Sequence, residues 1–545
     1  MQLIIAEKPA VAKAISAVIP GRDKAGKGFI EKGDYTITWA MGHLLTLKDP
    51  EDYDPEYKKW SLDALPLYFP DWGMKPNEQG GPSSKSKEQL ETIGKLLKKA
   101  DSVIHAGDPD DEGQYLVDEI LRWHKYKGPV YRINTNDTSA SALQRALNNL
   151  EDNGPLEKIG WAAHARSVAD ITVGYNCSRY FTLKNPGTLL TVGRVQTATL
   201  GLVVLRDLAI EGHTKQVYYT VSTDLSIAGA QIKAGYEPNA EDPNLVDGRI
   251  LKENYAKEKA DWLTGQHLDV VKVSFAEDYE HPPLPFNLTE LQLYCSRKFG
   301  YEPSRVLEIT QTLRDQYEAI TYNRSDCQYL SEAQYQESGA TMAQVIKNIS
   351  FNPKGMDLTI HSRCFDDSNL TAHTAIIPQN KAVDPSKMTE EERTVYLAIC
   401  KFYMAQFYPP AKKGRTKMEA PLEDGGRLTA ASTALLEPGY RYLFKSDKLA
   451  DDESNPVLSG LAPGDYPADI LRAAYEAKET KPPARYTKAS LGKDMTRIAK
   501  YVEDPEVKAL LLAKDKGKKG ENGSIGTVAT RADIIDRLEE RGYLE

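Results

Sequence analysis

Residues 102–124 read SVIHAGDPDDEGQYLVDEILRWH, and this stretch decides the fold of the first part of the chain. SVIHAG is a short apolar run typical of a buried strand, and EGQYLVDEILRWH has the apolar spacing of a helix. QLIIA (2–6) is a similar strand, which is followed by Glu7 and by a helix that begins at Pro9. Strands that alternate with helices predict a parallel α/β sheet over about residues 1–150.

Acidic side chains follow both strands at the point where each strand ends. Glu7 follows the first strand, and Asp108, Asp110 and Glu112 follow the second. The carboxyl ends of parallel strands meet at one edge of a sheet, so neighbouring strands would place these carboxylates in one pocket suited to Mg²⁺. Crowding raises carboxyl pKa values, which makes Glu7 a candidate general acid or base. The alternative is that the acidic run caps a helix that begins near Gly113.

Two segments carry a resemblance to known proteins. AEKP (6–9) together with DPDDEGQ (108–114) resembles the Toprim domain, which topoisomerases, bacterial primases and some nucleases share. AITYNRSDCQYL (319–330) resembles the nucleophile motif of type IA DNA topoisomerases, in which arginine follows two positions after tyrosine. The resemblance implies that Tyr322 attacks a DNA phosphate and that Arg324 assists it.

The chemistry of this motif requires both residue types. A phenol with a pKa of about 10 is a weak nucleophile at neutral pH, whereas arginine is a permanent cation that stabilises phosphate charge in the transition state. We expect AITY to be a short strand, on which Tyr322 and Arg324 would share a face. By the same resemblance, Lys8 helps to neutralise the phosphate. One ester replaces another, so religation needs no ATP, in agreement with the lack of a GxxxxGKS/T loop.

A third segment also resembles the family's catalytic motifs, and two positions of the chain differ from those motifs. AHTAIIP (372–378) resembles the family's active-site histidine motif and implies that His373 contacts the scissile phosphate or its neighbour. Asp111 stands where the family commonly has arginine, between the last Asp and the Glu of the acidic motif. In RINTNDTS, a weaker match, Asp137 replaces the family's Glu.

HARSVADITVGYNCSR (164–179) resembles the helix with which the family binds a DNA strand. Arg166 and Asp170 are four residues apart and would share one face of that helix, where they would contact DNA. The alternative is a plain salt bridge within the helix, and the sequence leaves the two interpretations equally open.

GRVQT (193–197) is nearly a signature of the family, although Ala198 stands where proline is usual. The resemblance implies that Arg194 binds a backbone phosphate. Gln196 and Thr197 would form hydrogen bonds to phosphates or base edges.

The matches run in order through the whole chain, as far as IGTVATRADIIDRLEERGY (525–543), so the protein is identified as a member of the type IA topoisomerases. The resemblance implies a multidomain α/β and α+β fold, in which an N-terminal Toprim domain, helical domains and a β-arch form a toroidal core. The expected domains are Toprim (1–153), a helical DNA-binding domain (154–215 and 476–545), a β-rich arch (216–278 and 397–475) and a domain carrying the nucleophilic tyrosine (279–396).

Composition gives weaker indications. The net charge of −9 argues mildly against a nucleic-acid protein, although a local basic groove can coexist with an acidic exterior. Five scattered cysteines form no CxxC pair, so we expect reduced thiols and no zinc ribbon. The sequence has no signal peptide or apolar run that could span a membrane, and we expect a cytoplasmic, nucleoid-associated bacterial protein. Family members usually continue beyond this point, so we expect the chain to be part of a longer protein.

The resemblance implies Mg²⁺-dependent, ATP-independent cleavage of one DNA strand through a 5′-phosphotyrosine, followed by strand passage and religation. The expected substrates are single-stranded DNA, duplexes and catenanes, acted on by a monomer that relaxes negative supercoils and decatenates DNA. AHTAIIP, TYNRSDCQYL and the absence of zinc-ribbon cysteines favour the topoisomerase III branch over topoisomerase I. A topoisomerase I-like enzyme, a Toprim nuclease or primase without a covalent intermediate, and a non-catalytic single-strand binding protein stay open as alternatives.

Overall fold

The computed structural model of the protein describes residues 1–78, 85–135, 140–371, 373–444 and 456–545. Asp137, which replaces the Glu of the family motif, lies outside the described residues. None of the helices in the described part of the chain is long and apolar enough to cross a membrane. All five cysteines are unpaired, as their scatter predicts, and four of them are buried.

The first part of the chain forms a mixed sheet with helices on both faces. Its strands and an adjoining two-stranded pair are β1 (Gln2–Ala6), β2 (Lys24–Gly26), β3 (Phe29–Lys32), β4 (Tyr35–Trp39), β5 (Leu45–Leu47), β6 (Met74–Pro76), β7 (Ser102–Ala106), β8 (Val130–Arg132) and β9 (Glu151–Asp152). Its helices are α1 (Pro9–Val18), α2 (Lys85–Leu97), α3 (Asp111–Trp123) and α4 (Ala140–Asn148).

In the described residues the strand order of this sheet is β2-β3-β4-β1-β7-β8-β9, and β1 runs parallel to both of its neighbours. Leu3 and Ile5 pack towards α2 and α3, whereas Ile4 and Ala6 pack towards α1 and α4. Burial on both faces explains why β1 is a continuous apolar run rather than an alternating one. The parallel centre agrees with the sequence prediction, and the antiparallel edge strands are additional to it.

Two long helices and the first half of a second sheet follow. These elements are α5 (Glu157–Lys184), α6 (Arg194–Glu211), β10 (Val217–Ile227), β11 (Ala230–Glu237), β12 (Leu245–Val246), β13 (Arg249–Ile250), α7 (Glu253–Leu263) and β14 (His267–Glu280). α5 packs against α3, yet Gly160, Ala163 and Arg179 are its only buried residues, and the whole helix is described. Most of its length is therefore available to solvent or a ligand.

The next segment is helical and has its own apolar core. Its helices are α8 (Leu288–Phe299), α9 (Pro303–Asp315), α10 (Glu332–Gln336), α11 (Ser338–Ile349) and α12 (Glu390–Met404). The prediction of a strand over AITY is wrong, because Ile320 forms only an isolated bridge with Pro378 and a turn follows at Asn323 and Arg324. The segment packs among helices, and no neighbouring strand in the described residues extends the bridge into a ladder.

The chain then returns to the second sheet and ends in helices. These elements are β15 (Ala411–Pro421), β16 (Arg427–Glu437), α13 (Pro456–Ser459), β17 (Gly464–Glu479), α14 (Lys488–Met495), α15 (Pro505–Lys514) and α16 (Arg531–Glu540). β11 pairs with both β10 and β16, so the described order β11-β16-β15-β14-β17-β10 closes on itself, with every pair antiparallel.

The hydrophobic clusters support the four expected domains, which we propose as the domain division of the chain. Leu202 of α6 shares a cluster with Leu491, Met495 and Ile535, so the two halves of the helical domain have a common core. α12 packs in the core around α8 and α9. We therefore propose that the domain carrying the tyrosine extends to about residue 410 rather than ending at 396.

Glu280 ends β14 where the closed sheet joins the helical core. Its carboxylate accepts hydrogen bonds from Arg441 at 2.9 Å (Nε) and 2.8 Å (Nη2), and it also contacts Lys413 and Tyr440. Burial alone would raise the pKa of Glu280, but these contacts outweigh burial and hold the pKa at about 2. The ionised carboxylate therefore stabilises the junction.

Glu280→Gln should lower the free energy of unfolding by roughly 2 kcal/mol at pH 6, a value already reduced for partial exposure. A carboxyl with a depressed pKa stabilises the fold above its ordinary pKa of 4.5, and that stability is lost as the pH falls towards 2. Urea unfolding should therefore show that the difference in the free energy of unfolding between the wild type and Glu280→Gln at pH 3 is less than half of that difference at pH 6. Glu277→Gln is the control, because its carboxylate is 44% exposed and pairs with Lys412. An equal effect of Glu280→Gln at both pH values would contradict the prediction.

Candidate active site

The carboxyl ends of two central strands bring Glu7 and Asp108 into contact. β1 and β7 are parallel neighbours with Ala6 opposite Ala106, which is the arrangement that the predicted pocket requires. Glu7 Oε2 accepts a hydrogen bond from the backbone N–H of Asp108 at 2.9 Å. Lys8 Nζ lies 3.1 Å from Glu7 Oε1 and 3.2 Å from Asp108 Oδ2, so one cation is shared by two carboxylates.

Two glycines allow the loop after β7 to approach the start of α3. A Cβ at Gly113 would lie 2.4 Å from the carbonyl oxygen of Asp108, and a Cβ at Gly107 would lie 2.1 Å from that of Gly113. Any side chain there would displace the loop that carries Asp108. Asp110 Oδ1 accepts a hydrogen bond from the N–H of Gly113 at 2.6 Å. Asp110 thus also caps α3, so the capping alternative is correct for this residue without excluding the pocket.

Arg132, which belongs to none of the sequence motifs, also holds the loop after β7 in place. Its side chain is buried, with 1% exposure. Its guanidinium donates hydrogen bonds to the carbonyl oxygens of Gly107 at 2.8 Å and Asp108 at 2.9 Å, and to Gln114 Oε1 at 2.9 Å. One arginine at the end of a short strand carries no signal for such a role in a single sequence.

The charges of the pocket residues are shifted by burial and by one another. Burial raises the pKa of Glu7, and the charge of Asp108 adds to this effect. Burial also acts to raise the pKa of Asp108, but His373 and Lys8 outweigh it and hold that pKa well below its usual range. The two carboxylates outweigh the burial of Lys8 and raise its pKa. Glu7 is therefore the carboxyl that takes up a proton more readily, which suits a general acid or base.

Glu112 faces away from this pair towards two cations. Its Oε1 lies 2.6 Å from His43 Nε2, and its Oε2 accepts a hydrogen bond from Arg166 Nη2 at 2.8 Å. Hydrogen bonds from His43 and Arg166 hold the pKa of Glu112 at about 2. Arg166 also pairs with Asp111 at 2.9 Å. Asp111, where the family commonly has arginine, thus recruits a guanidinium from α5 to the side of Glu112.

His43 is a second residue that the sequence analysis did not identify. Its Nδ1 lies 3.0 Å from Glu119 Oε1, so the ring is held between Glu119 and Glu112. Burial opposes its charged form, but the hydrogen bonds to the two carboxylates outweigh burial and raise the pKa of His43 to about 10. A histidine in the segment MGHLL has no partner nearby in sequence, so only the fold reveals this role.

Tyr322 lies beside the strand-end carboxylates, surrounded by an aromatic ring and two cations. The His373 ring stacks on it with centroids 4.4 Å apart and an interplanar angle of 28°. Lys8 Nζ is 4.7 Å from the Tyr322 ring centroid, and Arg314 Cζ is 4.8 Å from it. Residues far apart in sequence therefore converge on one phenol. Arg324 is adjacent but exposed, and its turn conformation does not give the shared strand face that was expected.

The phenol is difficult to ionise in this environment. Burial raises the pKa of Tyr322; the charges of Asp108 and Glu7 add to this, whereas Lys8 and Arg324 act to lower it. A phenolate at this position would therefore depend on nearby cations that stabilise it as it forms.

A cavity of about 540 Å³ opens at Tyr322, and its walls include Asp108, Arg314 and His373. His373 Nε2 is buried and has no hydrogen-bond partner among the described residues. It lies 3.7 Å from Asp108 Oδ2, which is too long for a hydrogen bond. A buried polar atom without a partner at the wall of a cavity is suited to bind a ligand oxygen.

The strand-end residues provide the donor chemistry for a magnesium ion. Glu7, Asp108 and Asp110 offer carboxylate oxygens, which Mg²⁺ prefers, and burial raises the pKa of Glu7 and of Asp110 in a way that a bound cation would relieve. In the described ranges no three such side chains are grouped closely enough to hold a metal as they stand. The donor set fits Mg²⁺, provided that these side chains rotate towards one another.

The five residues expected to bind DNA lie on α5 and α6, of which few residues are buried. In the described part of the chain, Arg166 and Asp170 do not pair with each other. Arg166 pairs with Asp111 and Glu112. Asp170 Oδ1 accepts a hydrogen bond from Arg194 Nε at 2.7 Å. The salt bridge within the helix that was considered as an alternative is therefore not formed. Gln196 Nε2 donates to the hydroxyl of Thr191 at 3.2 Å, and Thr197 Oγ1 accepts a hydrogen bond from the N–H of Gly193 at 3.2 Å.

Comparisons with known proteins agree along the whole chain. Residues 156–545 match the DNA topoisomerase family, and residues 2–137 match the Toprim domain. DNA topoisomerase 3 of Haemophilus influenzae is 34% identical over all of this chain and 84% of its own length. The enzyme of the same name from Salmonella typhimurium is 35% identical over all of this chain and 83% of its own length. Full-length topoisomerase I of Thermotoga maritima shares the fold, with a TM-score of 0.64 and 22% identity over 100% of this chain and 79% of its own.

The chain belongs to the DNA topoisomerase family and is a type IA enzyme, which cleaves one strand of DNA, passes DNA through the break and religates it without ATP. Its fold is the toroidal type IA core with an N-terminal Toprim domain, which is a metal-binding domain. Within the family it is similar to bacterial DNA topoisomerase 3, and the predicted resemblance to that branch is confirmed.

Proposed function

We propose that Tyr322 is the nucleophile of this topoisomerase. Its hydroxyl oxygen forms a bond to the scissile phosphorus as the bond from phosphorus to the 3′ oxygen breaks, which leaves a 5′-phosphotyrosine and a free 3′ hydroxyl. The observation that carries this proposal is the convergence of Lys8, Asp108 and His373 on Tyr322 at one cavity. Thirty tyrosines are present in the chain, and this one combines a cation, a carboxylate and a buried histidine nitrogen that has no hydrogen-bond partner among the described residues.

The residues around Tyr322 have separate roles in the rest of the reaction. Lys8 and Arg324 offset the negative charge of the phosphate, and His373 Nε2 donates a hydrogen bond to one of its oxygens. The phenolic proton of Tyr322 passes to solvent in the cavity as its oxygen attacks, and a proton returns from solvent during religation. Glu7 gives a proton to the 3′ oxygen as that oxygen leaves and takes the proton back during religation. Its raised pKa supports this role, because a carboxyl that takes up a proton more readily is better suited to act as a general acid.

We propose that Mg²⁺ binds at Glu7, Asp108, Asp110 and Glu112, where it would supply positive charge beside the DNA phosphate. Glu112 would need to leave His43 and Arg166 to join the other three carboxylates.

A protein with both Asp108→Asn and Asp110→Asn should need at least about tenfold more Mg²⁺ than the wild type for the same thermal stabilisation, because two anionic ligands are lost. Asparagine keeps the cap on the N–H of Gly113. Asp111→Asn is the matched control, because Asp111 pairs with Arg166. Thermal unfolding during a Mg²⁺ titration measures the effect. An equal shift in the control would show that the stabilisation is nonspecific.

The DNA strand would follow α5 and the start of α6. We propose that Arg166 and Arg194 bind backbone phosphates, while Asp170, Gln196 and Thr197 orient them or contact base edges. Both arginines now pair with carboxylates of this surface. A DNA strand would compete for those guanidinium groups, so binding should weaken steeply as the salt concentration rises.

We further propose that the substrate is a single-stranded segment within a duplex or a catenane, that the protein relaxes negative supercoils and decatenates DNA as a monomer, and that it acts on the nucleoid in the cytoplasm. The relatives named DNA topoisomerase 3 support the part of this proposal that makes DNA the substrate.

A labelled single-stranded oligonucleotide tests the proposed chemistry. The protein is mixed with the oligonucleotide and Mg²⁺ and then denatured. A label on the fragment with the new 5′ phosphate should stay with the protein, whereas a label on the other fragment should be released. Free cut ends with both labels would instead support a Toprim nuclease. Linked circles added to the same preparation test decatenation, and relaxation without any unlinking would remove that part of the proposal.

A further inference from the structure

Arg314 occupies a position at the active site that the sequence motifs do not predict. It lies in the last turn of α9, eight residues before Tyr322, and its guanidinium carbon is 4.8 Å from the Tyr322 ring centroid. Its side chain is 16% exposed and forms part of the wall of the cavity at Tyr322. The residue therefore reaches the space that the reacting phosphate would occupy.

The guanidinium of Arg314 makes few polar contacts within the described part of the protein. Its one ion pair among the described residues is with the neighbouring Asp315, at a distance of 3.9 Å and with no hydrogen bond. Arg305, on the same helix, instead donates hydrogen bonds to Glu308 and Glu391. A half-buried cation that lacks hydrogen-bond acceptors is costly, unless a ligand supplies them.

The other two cations near Tyr322 are not among the residues that line this cavity, whereas Arg314 is. The charge of Lys8 is already shared between Glu7 and Asp108, and Arg324 is exposed. The cavity wall also carries Asp108, whose charge repels a phosphate. A guanidinium on the cavity wall would offset that repulsion together with Lys8 and Arg324, and Arg314 is in that position.

We propose that Arg314 is a further catalytic residue, which donates hydrogen bonds to a non-bridging oxygen of the scissile phosphate and stabilises the charge that builds there during attack. The inference rests on the proposed role of Tyr322 as the nucleophile. The same contact holds the Tyr322 ring beside the phosphate, through the attraction between a cation and an aromatic face.

Single-turnover cleavage of an end-labelled oligonucleotide tests this role, and DNA affinity is measured separately by fluorescence anisotropy. Arg314→Gln should slow covalent-complex formation at saturating DNA by about 10²-fold, while affinity changes by less than about tenfold. Arg314→Lys should recover part of the rate, because it keeps the charge and loses the planar fork. Arg305→Gln is the matched control on the same helix and should cleave at the wild-type rate.

A substrate with a neutral methylphosphonate at the scissile position separates a phosphate contact from a purely positioning role. If Arg314 binds the charged oxygen, this substrate should slow the wild type much more than Arg314→Gln. Equal slowing of both proteins would overturn the phosphate contact, as would an Arg314→Gln rate within about twofold of wild type, or a loss of affinity without a loss of rate. A covalent complex that survives Tyr322→Phe would instead refute the proposed nucleophile, so the two failures are distinguishable.

Discussion

Tyr322→Phe should abolish the covalent protein–DNA complex and reduce relaxation by more than about 10³-fold. Phenylalanine keeps the ring that stacks on His373 and faces Lys8, so the fold and the cavity should survive. What is lost is the oxygen that forms the bond to phosphorus, and no neighbouring group can supply an equivalent one in the same place. DNA binding, measured without cleavage, should therefore stay within a fewfold of wild type.

Tyr317→Phe is the control for this substitution. Tyr317 lies five residues earlier, where its hydroxyl donates to the backbone carbonyl of Lys387 and to Glu392, away from the cavity. It should form the covalent complex normally. Protein-bound label that persists in Tyr322→Phe would show that another side chain attacks the DNA. Loss of DNA binding along with the complex would show that the variant is misfolded.

The strand ends illustrate what the sequence alone can predict. QLIIA and SVIHAG are apolar runs short enough to be strands and are followed by carboxylates, so their pairing through β1 and β7 follows from simple rules of parallel sheets. Long-range pairing of β10 and β11 with β16 and β17 is less predictable, because alternation identifies strands without indicating their partners.

The pairing of charged residues was the least predictable part of the site. Arg166 and Asp170 have the spacing of a helical salt bridge, yet α5 packs against α3, which places Asp111 and Glu112 within reach of Arg166. Asp170 then pairs with Arg194 of the next helix. Spacing along a helix predicts which residues share a face, but tertiary packing decides which opposite charge is nearest.

The segment around Tyr322 shows how a correct motif can be joined to a wrong local structure. The TYNRSD match holds whether or not the segment is a strand. The expectation that Arg324 shares a strand face with Tyr322 required a strand, and the segment does not form one. Arg314 could not be found in this way, because a helix end and a turn separate it from the tyrosine. Only the packing of α9 beside the cavity brings the two together.

Lys8→Gln should slow cleavage by about 10²-fold and at the same time strengthen Mg²⁺ binding. Both effects follow from the position of one ammonium group, which lies 3.1 Å from Glu7, 3.2 Å from Asp108 and 4.7 Å from the Tyr322 ring centroid. Without it, the phenolate and the phosphate lose a stabilising charge. The two carboxylates also lose their internal cation, so their mutual repulsion increases and a divalent ion gains more by binding between them.

Single-turnover cleavage at saturating Mg²⁺ and thermal unfolding during a Mg²⁺ titration measure these two effects on the same preparations. Lys13→Gln is the control, since Lys13 is exposed on α1 and should change neither quantity. Slow cleavage combined with weaker Mg²⁺ binding would mean that Lys8 organises the carboxylates instead of competing with the metal. A normal cleavage rate would remove Lys8 from the catalytic site, because an ammonium group that contacts the phosphate during attack cannot be replaced by a neutral amide without cost.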